Sequence, residues 1–371
     1  MITRDFFEEL FVLEMTNNHL GNLDRGLEIV RQHSRIVRFN NVRAAIKLQF
    51  RCLESFVHKD FRDRSDIRYI RRVTETRLSK QDYATLVQAI RKSGCIPMAT
   101  PFDEKSVDWC VEFDMPVIKI ASADSTDWML LEKIASTKKP VIVSIGGTSQ
   151  KDVDDMVMFF ENRNIPLAIN HCIAAYPHED AECELNQIDY LRNRYPSHTI
   201  GYSSHEHKNW ANSIVIAHGK GARTFERHID IDTDGVTIAP YSSLPYQIDV
   251  WFKAFNNTKV YCGTSGTQRK IPLARETAFL DSYVRGVYAA ADLSAGHRLH
   301  EEDIYMAIPL LKGQISCREL MLGRFGHTLV NPVQKDQPIL IDAIDTPYME
   351  DENLRQTIYS RGLDPASPPN A

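Results

Sequence analysis

The sequence predicts an α/β protein: a (β/α)8 barrel followed by a small mixed α/β domain. Three observations carry that expectation. Eight short apolar runs recur between residues 11 and 228. Most are followed by a stretch able to form a helix, and alternating strand–helix units close into a barrel of this kind. Each run also ends in a residue that a buried strand has no reason to carry, and the C-terminal strand ends of a TIM barrel converge on one active site.

In order, the runs are FVLEM (11–15), AAIKLQF (44–50), CIPMATPFD (95–103), VIKIAS (117–122), VIVSIGG (141–147), LAINHC (167–172), TIGYSSH (199–205) and ARTFERH (222–228). Their ends bring together Glu14, Lys47, Gln49, Thr100, Lys119, Ser122, Ser144, His171, Ser203, His205, Glu226 and His228. The barrel domain is placed at 1–256. Residues 51–78 interrupt the rhythm: HKDFRDRSDIRYIRRVTETR is dense in both charge signs and too long for a simple connection. It reads either as a long loop on the catalytic face or as a solvated, salt-bridged helix. The polar, glycine-containing stretch NNTKVYCGTSGTQRK and the helix candidate LARETAFLDSYV make a linker over 257–284. Short β-like runs broken by Gly and Asp form a small domain over 285–345. The tail, 346–371, ends in DPASPPNA and is expected to be disordered.

A chain of 371 residues has room for one barrel of about 250 residues and a second small domain. The net charge of −5 argues against a nucleic-acid binder. It leaves an anionic substrate open, because the local field of a cleft matters more than the total. Seven scattered cysteines without a CxxC pair indicate free thiols in a reducing, cytoplasmic setting. The N-terminus is acidic and lacks the cationic start and apolar core of a signal peptide. No apolar run approaches the roughly 20 residues that span a bilayer, so neither secretion nor membrane insertion is expected.

Lys47 and Lys119 each sit inside an apolar strand, and lysine is almost never buried without a partner. Either lysine could simply neutralise a buried carboxylate. Two on separate strands, near Thr100, Ser122, Ser144 and Ser203, favour an oxyanion clamp in which charge and directed hydroxyls meet phosphate or carboxylate oxygens. His205 and His228 end adjacent strands, and two neutral imidazoles with open positions suit a divalent ion acting as a Lewis acid. His207 lies close by in SSHEH and is the weaker candidate, expected to point to the other face. His171 is open between ligand, substrate contact and packed polar residue. Glu14 is either an acid/base or hydroxyl-binding group, or a partner for Lys47.

Read in order, the motifs LEMTNNHLGN, IKLQF, ATPFD, KIASAD, VSIGGTS, HCIAAYP, GYSSHEH and FERHIDID resemble the sialic acid synthase family. The likeness runs over both predicted domains, the second resembling the antifreeze-like (SAF) domain. The resemblance implies condensation of phosphoenolpyruvate (PEP) with an aldose to give a 3-deoxy-2-keto sugar acid. It implies that Lys47, Thr100, Lys119, Ser122, Ser144 and Ser203 hold PEP. His205 and His228 would bind a divalent ion, manganese or magnesium. Glu14, Asp124, Gln49, Tyr176 and Asn18 would face the sugar or take part in acid/base work, Asp124 standing where many members carry glutamate. The implied assembly is a homodimer with the SAF domain over the partner's barrel mouth.

The departures from the family pattern lie on the sugar side. Ala239 and Pro240 stand where an Asp-His pair precedes Ser243 and Leu244. Ile308 stands in place of a C-terminal-domain arginine, for which Lys312, Arg318 or Arg324 could substitute. Ala174 stands where some members carry asparagine. That pattern predicts an acceptor other than N-acetylmannosamine. The competing readings are another metal-dependent barrel aldolase or hydrolase, which would not need two anion-binding lysines, and a catalytically reduced carbohydrate-binding homologue.

Overall fold

A computed structural model describes residues 6–263, 266, 268–322, 326–345 and 350–364. Two compact units divide after Gly263. In the first, eight parallel strands alternate with helices: β1 (Leu10–Glu14), α1 (Leu23–Phe39), β2 (Ala44–Phe50), α2 (Leu53–Phe56), α3 (Arg68–Glu75), α4 (Lys80–Lys92) and β3 (Ile96–Pro101). They continue through α5 (Glu104–Glu112), β4 (Ile118–Ile120), α6 (Trp128–Ser136), β5 (Val141–Ser144), α7 (Gln150–Glu161), β6 (Leu167–Cys172) and α8 (Asn186–Arg194). The unit ends with β7 (Thr199–Ser204), α9 (Asn212–Gly219), β8 (Thr224–Ile229) and α10 (Pro245–Cys262). β8 pairs in parallel with β1, so the sheet is a closed barrel, and a short β9 (Ser242–Ser243) adds to the top of β8.

Alternation along each strand sorts the side chains. Odd-register residues such as Phe11, Leu13, Ile46, Leu48 and Phe225 pack outward against the helices, in the larger core. Facing inward, Val12, Ala45, Met98, Val117, Ile142 and Ala168 form an apolar plug, with Phe7 in the same cluster. Two residues further along the same strands, the inward positions become Glu14, Lys47, Thr100, Lys119, Ser144 and Asn170. The polar layer is thus a direct consequence of period-two geometry above a dry floor. Gly201 is required in β7, since a Cβ there would lie 1.8 Å from Thr224 Oγ1 and 2.2 Å from Asn170 Oδ1.

Helix starts follow the local chemistry. Asn22 caps α1, Ser79 and Asp82 form a capping box on α4, and Asp103, Asp127 and Ser149 cap α5, α6 and α7. The 51–78 segment is loop and helix together. α2, a 3-10 turn at Lys59–Phe61 and α3 lie in a largely exposed stretch.

The second unit holds β10 (Gly286–Ala289), β11 (Ile304–Ala307), α12 (Cys317–Leu322), β12 (Thr328–Leu329), β13 (Ile344–Asp345) and α13 (Glu352–Ser360), preceded by an exposed α11 (Ala274–Asp281). Two differences from the sequence reading stand out. The last barrel helix runs to Cys262, through the first residues assigned to the linker. Part of the expected disordered tail is α13, capped by Asp351, with Ile358 buried in the second unit's core. Arg361 pairs with the buried Glu319 at its end. Ile358 and Leu354 against the core, and ties from Arg355 to Asp342 and Arg361 to Glu319, hold a helix that a composition-based reading of the tail overlooks. Among the described residues no helix is long and apolar enough to cross a membrane.

Candidate active site

The C-terminal ends of the strands open into a cavity of about 980 Å³. Register builds its floor: Glu14 of β1 lies between Lys47 of β2 and His228 of β8, Gln49 opposite Thr100, and Ser203 opposite Glu226. Glu14, Lys47, Gln49, Thr100, Lys119, Ser122, Ser144, Tyr176, Ser203, His205, Glu226 and His228 all line this one space.

The charges on the floor form a chain. Lys47 pairs with Glu14, lies 3.1 Å from Glu226 Oε1 and donates to Thr100 Oγ1 at 3.2 Å. Lys119 donates to Ser144 Oγ at 2.7 Å and to the Ile120 carbonyl at 3.1 Å, while Glu226 Oε2 stays 3.7 Å away. Burial opposes charge on Lys47, but Glu14 and Glu226 outweigh it and its pKa is raised. Lys119 has less compensation, and burial lowers its pKa despite Glu226. Burial likewise opposes charge on Glu226, yet Lys119 and Lys47 hold its carboxyl down at about 2. The structure therefore joins the two readings of the lysines: they neutralise buried carboxylates and they line the cavity. Glu226 Oε2 has no hydrogen-bond partner although it is buried.

His205 and His228 have ring centroids 5.1 Å apart. Burial drives each imidazole's pKa down to about 3, so both are neutral at pH 7. His205 Nδ1 sits 2.8 Å from the Ile173 carbonyl, which fixes a proton there and turns the Nε2 lone pair free. His228 Nδ1 is buried without any partner. Two neutral, oriented imidazoles, one with an orphaned nitrogen, fit the donor set of a divalent ion. Tyr176 lies against His205 with ring centroids 4.0 Å apart and the rings tilted by 42°, and Tyr241 stands edge-on to His228 at 5.1 Å.

A second histidine cluster, His178, Cys183 and Glu206, has ligand atoms within 4.8 Å of one another. Its lone pairs are in use. His178 Nε2 accepts the His205 N–H at 3.2 Å, and Glu206 is held by Arg227, Ser213 and Tyr202. This cluster supports the backbone of His205 from behind.

Two expected residues, Asn18 and Asp124, lie elsewhere, and so does His171, whose role was open. Asn18, expected to face the sugar, spends its amide on the Ile229 carbonyl at 2.8 Å and Ser242 Oγ at 3.2 Å, where the loop after β1 folds across β8 and β9. Asp124 sits on a 3-10 turn (Ser122–Asp124) behind the lining; burial and Asp127 raise its pKa to about 6, and its Oδ2 is buried without a partner. His171 packs on the outer face of the barrel, with Nε2 2.8 Å from the Cys183 carbonyl. His207 does not line the cavity. In the second unit Ile308, Lys312 and Arg318 are exposed, and Arg324 falls outside the described residues.

Several lining residues carried no assigned role in the sequence. Arg51, Arg68, Tyr69 and Arg72 come from the 51–78 segment, and Tyr241 from the stretch after β8. Tyr241 stands immediately after the missing Asp-His positions, so an aromatic ring occupies the wall where the sequence showed only loss. Glu226 was signalled by its spacing of two before His228.

Fold and floor together define a class: barrel enzymes that gather anion-binding lysines, carboxylates and a neutral histidine pair at the strand ends. The chain belongs to the NeuB family, the sialic acid synthase family, whose pattern matches residues 41–260, with a SAF domain at 284–345. It is similar to a solved Chromobacterium violaceum protein provisionally called spore coat polysaccharide biosynthesis protein E. The identity is 35%, the TM-score 0.87, and the match covers 91% of this chain and 100% of that one. N-acetylneuraminate-9-phosphate synthase of Drosophila melanogaster is 27% identical over 72% of this chain and 76% of its own length. Pseudaminic acid synthase of Campylobacter jejuni is 23% identical over 81% and 88%. The membership is therefore that of a divergent relative.

Proposed function

We propose that this protein condenses PEP with an aldose other than N-acetylmannosamine, giving a 3-deoxy-2-keto sugar acid and phosphate. The observation that carries the reading is the buried Lys47–Glu226–Lys119 chain, set beside a neutral histidine pair in a NeuB-family barrel. Lys47, Thr100, Lys119, Ser122, Ser144 and Ser203 hold the carboxylate and phosphate of PEP. Charge and hydroxyls come from fixed strand ends, so they are aligned before the ligand arrives. His205 and His228 hold a divalent ion, manganese or magnesium, which supplies Lewis-acid polarisation of the acceptor's aldehyde oxygen when bound.

The new bond joins PEP C3 to the aldehyde carbon. Positive charge develops at C2, faced by Glu14 and Glu226 on the floor. Water adds at C2, and phosphate leaves by C–O cleavage. Gln49 and Tyr176 contact the sugar, and Asp124 takes part in acid/base work from behind the lining. Asn18 shapes the sugar side through its tie to β8. The resemblance also supports a homodimer with the SAF domain over the partner's mouth, which light scattering of the full chain tests.

The direct test is phosphate release from PEP with manganese across a panel of aldoses. Release that requires one aldose and disappears in His205→Ala supports the reading. PEP binding that is unaltered in Lys47→Ala and Lys119→Ala refutes it.

A further inference from the structure

The charges around the cavity are arranged in two tiers. On the floor, two lysines are matched by Glu14 and Glu226, all of them buried. Above it, the segment between β2 and α4 contributes Arg51, Arg68 and Arg72 to the wall, against a single lining carboxylate, Asp152. The rim therefore carries a positive excess in a chain whose net charge is −5.

Of the segment's arginines outside the cavity, Arg64 pairs with Asp66 and Arg77 with Glu54, each at 2.6 Å, and Arg62 donates to the Val57 carbonyl at 3.2 Å, while the Arg71 side chain has no partner among the described residues. Among the described residues, the side chains of Arg68 and Arg72 have neither an ion pair nor a hydrogen bond. They stand at i and i+4 of α3, one above the other on one face. Arg51 is pre-oriented. Its guanidinium lies over Phe102 at 3.8 Å, one nitrogen donates to Gln49 Oε1 at 2.8 Å, and Nε is buried without a partner. Planar guanidinium groups left open toward a cavity match the oxygens of a phosphate or carboxylate.

From this we infer that the acceptor aldose carries an anionic group, a phosphate monoester or a carboxylate, and that Arg51, Arg68 and Arg72 form its subsite at the rim. The inference rests on the synthase reading. With the aldehyde on the floor at the histidine pair, an anion-bearing end of the sugar reaches the rim. The cavity of about 980 Å³ has room for both substrates. The subsite would compensate for the sugar contacts missing at Ala174, Ala239 and Ile308.

The experiment uses the full chain with manganese and PEP, and matched acceptors: neutral hexoses and N-acetylhexosamines, their 6-phosphates, and the corresponding uronic acids. The 6-phosphate and uronic acid arms separate phosphate from carboxylate. One of the anionic series is expected to exceed its neutral counterpart in kcat/KM by about 10- to 100-fold, as one or two charge-assisted hydrogen bonds supply. In Arg68→Gln/Arg72→Gln that preference falls by a similar factor, mainly through KM, and Arg68→Lys/Arg72→Lys restores part of it. Calorimetric PEP affinity stays within about twofold, because the phosphate and carboxylate of PEP bind on the floor. Both arginines are exposed, and an unchanged melting temperature confirms the fold of the variants. Equal use of neutral and anionic aldoses overturns the inference and leaves the synthase reading standing. So does a protein that binds PEP but neither binds nor turns over any anionic aldose. An arginine variant that weakens PEP binding itself assigns these residues to PEP and overturns the inference as well. Absence of PEP binding in the unaltered chain removes the synthase reading and the inference with it.

Discussion

Glu226 and Arg227 are neighbours in β8, both buried and both ion-paired, yet they serve opposite sides of the barrel. Arg227 faces outward. Its Nε donates to Ser243 Oγ at 2.7 Å, one Nη to Ser204 Oγ and Glu206 Oε1 at 3.1 and 2.9 Å, and the other to the Glu206 carbonyl at 2.5 Å. Glu206 in turn accepts from Ser213 and Tyr202. Glu226 faces inward, and its cluster is left open: Glu226 Oε2 and His228 Nδ1 have no hydrogen-bond partners. Two adjacent residues thus separate a closed polar network, which holds the chain in place, from an open one that lines the cavity. Buried polar atoms are almost always satisfied in folded proteins, and those left open on the cavity floor are consistent with the ligand set proposed there.

The closed network should be the more costly to break. Arg227→Met strands the buried Glu206 carboxylate, and removing one partner of a buried pair typically costs about 3–5 kcal/mol. Urea unfolding should show a loss of that size. Adding Glu206→Gln should recover a good part of it, because the stranded charge is then gone. Metal affinity should weaken too, since Glu206 and His178 support the backbone of His205. A loss below 1 kcal/mol in Arg227→Met would erase the distinction between the two networks.

The open network should show the reverse pattern. Lys119→Met is expected to lower kcat/KM for phosphate release by about 10²–10³-fold, the usual effect of removing one preorganised charge or donor. Its effect on stability should be much smaller than that of Arg227→Met. Burial already disfavours the charged form of Lys119, and Lys47 remains as a partner for Glu226. Thermal unfolding beside steady-state kinetics checks both halves. A collapse of stability comparable with Arg227→Met would make Lys119 a structural residue instead.

How far the sequence discloses this arrangement depends on the range of the interaction. Strand ends were legible because the signal is local: a lysine in AIKLQF or VIKIAS has no place in an apolar strand unless something beyond it needs charge. Glu14, Lys47, Lys119, His205 and His228 followed from that logic. Period two would have separated Asn170 from His171, since one points inward and its neighbour outward; it does not separate His205 from His207, which leaves the cavity because β7 ends at Ser204. The arginines of α3 could not be read in this way. Their segment is charged throughout, and only the fold shows which arginines are paired with Asp66 or Glu54 and which face the cavity. Asn18 fails for a related reason: its partners, Ile229 and Ser242, lie more than two hundred residues away. The helix Glu352–Ser360 was hidden because composition weighs the whole tail, whereas docking rests on a few well-placed residues, Leu354 and Ile358 against the core and Arg355 to Asp342.

Asp124 gives the smallest and most specific comparison, because it is an open group just behind the lining. Burial and Asp127 raise its pKa from 3.8 to about 6, against the opposing fields of Arg51 and Lys119. The folded chain therefore keeps a proton there that the unfolded chain has released between pH 3.8 and 6. Stability falls as pH rises through that window, and above it the full cost of the buried charge is present. Asp124→Asn removes the cost, so the variant should be more stable than the parent at pH 7.5 by about 1–2 kcal/mol after allowance for its partial exposure. The difference should shrink towards zero below pH 4, where both carboxyls are protonated. If Asp124 also takes part in proton transfer, the same variant should lose the limb of the pH–rate profile near 6. Greater stability with lower activity is the mark of a group held open for function. A variant less stable than the parent at pH 7.5 would place Asp124 with Arg227, among the residues that hold the barrel together.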